Sequence, residues 1–237
     1  ITNNGKWKPE VTNFTGVNNQ IIKEAVGKFI EGNVNTTDTI GEILLGSDVI
    51  FTSNTWNMNN SILKTNGFKL IANSYEIKNA NVISNDTIVL NSSSIYNSIF
   101  NGDYKFKGIV YIKDGITFNG NATNLDTIYN AWANNPTLKI KANFINKGVL
   151  QTNPGGYNLY INADSNITNN GKWKTDGTYL TGKNNQIIKE LSGKEFEGVF
   201  NTTDTIGEII LGSDVKFSSS SWDLNKAILK TNGNKLI

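Results

Sequence analysis

This sequence predicts an all-β fold, a right-handed parallel β-helix (β-solenoid), and three observations point to it. The string ITNNGKWK fills residues 1–8 and returns at 167–174, and Ile1–Ile71 aligns with Ile167–Ile237 without a gap, 49 of 71 pairs being identical. Most of the chain reads as strands of three to five residues, rich in β-branched and aromatic side chains and bounded by Asn, Gly, Ser and Asp. A shorter period runs inside the long one. IFNGDYKF at 99–106 is echoed by TFNGNATN at 117–124, which places Phe100, Asn101 and Gly102 over Phe118, Asn119 and Gly120 at an offset of 18. FINKGVL at 144–150 is echoed more loosely by ITNNGKW at 167–173, at an offset of 23.

Offsets near 20 are the length of one solenoid coil. Such a coil cannot bury its apolar side alone, so it stacks on the next, sharing backbone hydrogen bonds about 4.8 Å apart, and like residues come to lie above like. On this reading the 166-residue period is roughly seven to nine coils, about 35 to 45 Å of rod. Residues 1–166 are then a first full repeat and 167–237 the start of the next, continuous with it and without a linker, the whole being a window on a longer tandem array. Asn-Gly pairs at Asn4, Asn66, Asn101, Asn119, Asn170 and Asn232 are also hairpin-turn signals. Tandem antiparallel sandwiches are therefore the competing architecture, and the coil-length echoes favour the solenoid.

The expected strands include 42–45, 49–52, 62–64, 69–71, 87–90, 109–112, 116–118, 138–140 and 158–161. Asn and Gly recur at their ends because both tolerate the left-handed backbone of a sharp corner. Two segments break the pattern. Leu125, Ile128, Tyr129 and Trp132 fall at i, i+3, i+4 and i+7, after Asn124 as an N-cap and before Pro136, which predicts one short inserted helix near 125–133. In NNQIIKEAVGKFIEG, Ile21, Ile22, Ala25, Val26, Phe29 and Ile30 share a helical face, but Gly27 interrupts it and Glu195 stands at the position of Phe29 in the second copy.

Composition narrows the chemistry. The chain has no Cys, His or Arg, 22 Lys against 20 acids, and 39 Asn. Without Cys there are no disulfides and no thiolate nucleophile or metal ligand, and without His the commonest general base is gone. A net charge of +2 with no Arg gives neither a basic stripe nor bidentate base readout for nucleic acid. No run of about 18 apolar residues spans a membrane.

Candidate site residues are few. Trp7, Trp56, Trp173 and Trp222 are two pairs of repeat mates. An outward aromatic row could bind a glycan or a neighbouring rod, though a Trp in a strand pattern more often covers the core. Asp38 with Glu42, and Asp204 with Glu208, are the best carboxylate pairs, but acid–base work needs two carboxyls at a set separation, and both pairs are duplicated as surface structure would be. Thr36, Thr37 and Thr39, with Thr202, Thr203 and Thr205, occur once per repeat, not once per coil as an ice-binding ladder requires. Asn162–Asn166 resembles the opening of a calcium loop, yet Ile167 replaces the needed Gly and no Glu follows at the twelfth position. Asn-x-Ser/Thr sequons begin at Asn13, Asn35, Asn59, Asn85, Asn91, Asn121, Asn166 and Asn201. No catalytic residue, metal site or cofactor is expected.

Strings such as ITNNGKWK, FINKGVLQTN and SNITNNGKWK resemble the I-x-N-x-G-x-Φ coils (Φ apolar) of right-handed β-helical passengers in Gram-negative autotransporters and filamentous-haemagglutinin-type surface adhesins. The resemblance implies export to the cell surface, anchored at the outer membrane or secreted, and a non-enzymatic role in adhesion, aggregation or surface coating. Its partners would be a host or neighbouring-cell receptor or glycan, or other rods. Two alternatives stand beside it: a self-assembling sheath or S-layer-like coat subunit, and a β-helical tailspike that degrades glycans.

Overall fold

The computed structural model describes residues 1–237 apart from 38–40, 53–54, 74–75, 85–86, 92, 132–134, 156, 204–206 and 219–220. The chain is a parallel β-solenoid with three faces per turn. It runs from the first face (Gln20–Glu24) to the second (Ile30–Glu31), the third (Asn33–Thr36), and back to the first (Ile43–Leu45) one coil higher. On the second face, eleven strands stack from Ile30–Glu31 to Leu229–Lys230. At the coil spacing this is about 50 Å of rod. Every ladder among the described strands is parallel. Where Asn66-Gly67 takes the positive φ values of a tight turn (51° and 81°), it joins two faces of the same winding instead of closing a hairpin.

Alternation along each short strand sends one set of side chains inward. In Val49–Thr52, Val49 and Phe51 are buried while Ile50 and Thr52 face outward. The inward residues form one continuous core from Phe14 to Val215. The echo at offset 18 is a real ladder: Phe100 pairs with Phe118, their rings 5.7 Å apart. The echo at 23 pairs Phe144 with Ile167 and Leu150 with Trp173.

Stacking also explains the abundance of Asn. Outside, Asn119 Nδ2 donates to Asn101 Oδ1 (2.7 Å), and Asn101 Nδ2 to Asn81 Oδ1 (2.6 Å). Inside, Asn124, Asn146 and Asn169 are fully buried. Asn124 Nδ2 donates to Asn146 Oδ1 (2.8 Å), and Asn146 Nδ2 donates to Asn169 Oδ1 (3.1 Å) and to the Lys172 carbonyl (2.7 Å). An amide carries both donors and acceptors, so identical amides one coil apart satisfy each other and the corner carbonyls.

The expected helix near 125–133 is not present among the described residues. Thr127–Asn130 is a third-face strand between Ile109–Ile112 and Val149–Gln151, with Ile128 and Asn130 buried and Thr127 and Tyr129 outward. Asn124, expected as an N-cap, belongs to the interior amide ladder. Period-two alternation in four residues outweighed the helical spacing because the two neighbouring coils supply ladder partners. Trp132 and Ala133 lie outside the described residues. Likewise Gln20–Glu24 is a strand.

The two copies do not sit on the same faces. From Ile43–Leu45 the first face climbs eight coils, through 62–64, 81–83, 98–101, 116–118, 137–140, 160–163 and 177–180 to 199–202. The repeat mate of Ile43–Leu45, Ile209–Leu211, comes one face later, on the second face, stacked on Gln186–Glu190. The 166-residue repeat therefore spans eight and one-third turns, about 40 Å of rise, and the second copy is turned by a third of a revolution relative to the first.

The interior amide ladder gives a test. Asn146→Ala strands its partners above and below, at about 1–3 kcal/mol for each buried group left unsatisfied, whereas Asn119→Ala on the exterior ladder is expected to stay within about 0.5 kcal/mol. Urea denaturation of the two variants measures the difference.

Candidate functional site

The four tryptophans face the core. Trp56 and Trp173 are buried, and Trp7 and Trp222 are partly buried against the apolar cluster. Their surroundings repeat with the sequence. Trp7 Nε1 donates to Thr12 Oγ1 at 3.0 Å and Trp173 Nε1 to Thr178 Oγ1 at 3.0 Å. Phe51 stacks on Trp56, and Phe217 lies against Trp222, each with centroids 4.7 Å apart. Trp56 and Trp173 therefore offer no ring to a ligand.

Several outward positions on the strands carry tyrosine instead. Tyr111 and Tyr129 lie 5.9 Å apart on the third face, and Tyr160 and Tyr179 lie 6.1 Å apart on the first. Tyr96 carries Lys78 and Lys113 within about 5 Å of its ring centroid. Its hydroxyl donates to Glu76 Oε1 at 2.8 Å. Burial works against charge on Glu76, but bonds from Lys78, Tyr96 and Lys113 outweigh it and hold the carboxyl below the usual range. Sequence reading missed these tyrosines because only the alternation within each strand tells the outer row from the inner.

Of the two carboxylate pairs, only Glu42 and Glu208 lie among the described residues. Glu42 is held by Lys64 (2.6 Å) and Asn19 (3.4 Å), and Glu208 by Lys230 (2.7 Å) and Asn185 (3.2 Å). Asp38 and Asp204 lie outside the described residues, as do Thr39 and Thr205. Thr36 and Thr202 are buried, donating to the Met58 and Leu224 carbonyls. Asp164, in the calcium-loop-like string, accepts from Thr181 and pairs with Lys141 at 3.1 Å. Among the sequons, Asn13, Asn91 and Asn121 are exposed, and Asn85 lies outside the described residues.

One further pair of repeat mates was not singled out by sequence. Glu24 and Glu190 end equivalent strands and turn into the next corner, where Glu24 Oε2 accepts the Ile50 N–H (2.8 Å) and Glu190 Oε2 the Lys216 N–H (3.1 Å). Glu24 Oε1 is buried without a hydrogen-bond partner. Burial pushes both carboxyls up to about 7 against those backbone bonds, and the charge of Glu195 adds to the rise at Glu190.

No family model, no curated protein and no solved structure matches the chain.

An acid whose pKa rises on folding binds its proton more tightly in the folded chain. Its stabilising contribution is complete below about pH 4.5 and is lost as pH climbs through about 7. Denaturant midpoints are therefore expected to fall between pH 5 and pH 8, and Glu24→Gln with Glu190→Gln to flatten that slope. A slope unchanged in the double variant would place the titration elsewhere.

Proposed function

We propose that the chain is part of a non-enzymatic rod at the cell surface that mediates attachment or coats the surface, as its coil strings suggest by their resemblance to β-helical adhesin passengers. The observation that carries this reading is the unbroken stack: parallel ladders link every coil to the next across the join between the copies, from Ile140 to Ala163 and from Asn146 to Asn169 and on to Glu190. A continuous ladder with one continuous core transmits load along its axis. Repetition then sets reach, while the outer residues of each strand are left to meet partners. Glu42 and Glu208, the described members of the candidate pairs, are tied to Lys64 and Lys230, which favours a structural role over glycan cleavage.

Displayed on the surface of a non-adherent cell, the chain is expected to raise attachment to host or neighbouring cells severalfold, and the purified chain to compete with it. Purified chain should leave polysaccharides at their original length. Shortening of a polysaccharide, or display without any gain in attachment or surface coverage, would overturn this reading.

A further inference from the structure

The two copies provide an internal comparison. Of 71 aligned positions 22 differ, and at five an apolar residue of the first copy is polar or charged in the second: Val17 is matched by Lys183, Val26 by Ser192, Phe29 by Glu195, Ile50 by Lys216 and Phe68 by Asn234. Four of the five, Ser192, Glu195, Lys216 and Asn234, line a single cavity of about 520 Å³ beside Glu190. Ser192 and Glu195 share one corner, and Lys216 and Asn234 come from the next two coils, some twenty residues further on each time, so the set meets only through stacking. In the first copy the same corner is an apolar patch around Glu24, with Val26, Phe29 and Phe68 all exposed.

The chemistry of the converted corner is mixed and close to neutral. Glu195 pairs with Lys216 Nζ at 2.7 Å and accepts from Ser218 Oγ, and these bonds hold its carboxyl below the usual range. Asn234 Nδ2 donates to the Leu211 carbonyl (2.8 Å), which leaves its Oδ1 as an acceptor. Glu190 adds a carboxyl that titrates near neutrality. Lys194 and Lys216 balance Glu195 and Asp214, so neither a strongly anionic nor a strongly cationic ligand is favoured. Donors and acceptors at close quarters, in a volume on the order of one or two sugar rings, suit vicinal hydroxyls.

We propose that this corner of the second copy is a binding site for a neutral saccharide, made by turning an apolar corner of the repeat into a polar cavity around Glu190, Glu195, Lys216 and Asn234. The proposal rests on the attachment reading and names its ligand class. At the same places the first copy carries Phe29, Ile50 and Phe68 and so lacks the polar groups of this site.

Calorimetric or NMR titration with glucose, galactose, N-acetylglucosamine and their disaccharides is expected to show one saturable site with a millimolar Kd. Combining Glu195→Phe, Lys216→Ile and Asn234→Phe restores the residues that the first copy carries at the same places, so the fold is expected to tolerate it, and circular dichroism checks this. Binding should weaken at least tenfold. The reciprocal set Phe29→Glu, Ile50→Lys and Phe68→Asn should raise the stoichiometry from one to two. No saturable binding at tens of millimolar, or equal binding by the reverted chain, would overturn the site. Run in parallel, the attachment assay keeps the two readings apart. Attachment by an unmodified chain that binds no sugar sinks the site alone, whereas an unmodified chain that binds sugar without attaching sinks the rod reading alone.

Discussion

In-register parallel hydrogen bonding between successive coils is the constraint on which the rest of the molecule depends. A coil of about twenty residues has too little apolar surface to fold by itself, so each depends on the coils above and below. Register then decides everything else. A slip of one residue would send Phe100 and Phe118 outward and their polar neighbours into the core. The buried amide ladder of Asn124, Asn146 and Asn169 guards against such a slip, since a displaced coil would bury amides against hydrocarbon at a cost of several kcal/mol.

Under that constraint the outer surface is free to vary, and the two copies show how. The inner residues Ile22 and Ile188, Trp56 and Trp222, and Val49 and Val215 are unchanged, and even the bond from Trp to Thr is reproduced at 3.0 Å. Glycine holds where backbones approach. Gly32 and Gly198 have φ of 92° and 106°, and a Cβ there would lie under 2 Å from a carbonyl oxygen of the coil below. Variation instead reaches the corners, where an ion pair between Glu195 and Lys216 occupies the places of Phe29 and Ile50.

Much of the fold was legible before any coordinates, because a stacked-coil protein writes its vertical neighbours into its own periodicity. The offsets of 18 and 23 marked true ladders. What stayed hidden is what depends on lateral placement. Coil lengths drift: Ile161 lies beneath Thr178, seventeen residues on, while Leu138 lies beneath Ile161, twenty-three on. Neighbours across a corner therefore cannot be counted out from the sequence. The helix expected near 125–133 failed for a related reason, since Thr127–Asn130 takes its conformation from the coils on either side, which no local pattern reports. The duplicated Glu24 and Glu190 were passed over because a lone Glu after a strand looks like any solvated surface acid.

The third-of-a-turn offset between the copies bears on how such a molecule meets a crowd. In an array of these repeats, three would be needed before a given side chain pointed the same way again, after twenty-five turns and about 120 Å. A patch carried by the repeat would then wind around the shaft like the thread of a coarse screw. Shafts gripping one another through such a patch would be drawn into bundles with neighbours on three sides, and a flat tape would be geometrically awkward for them.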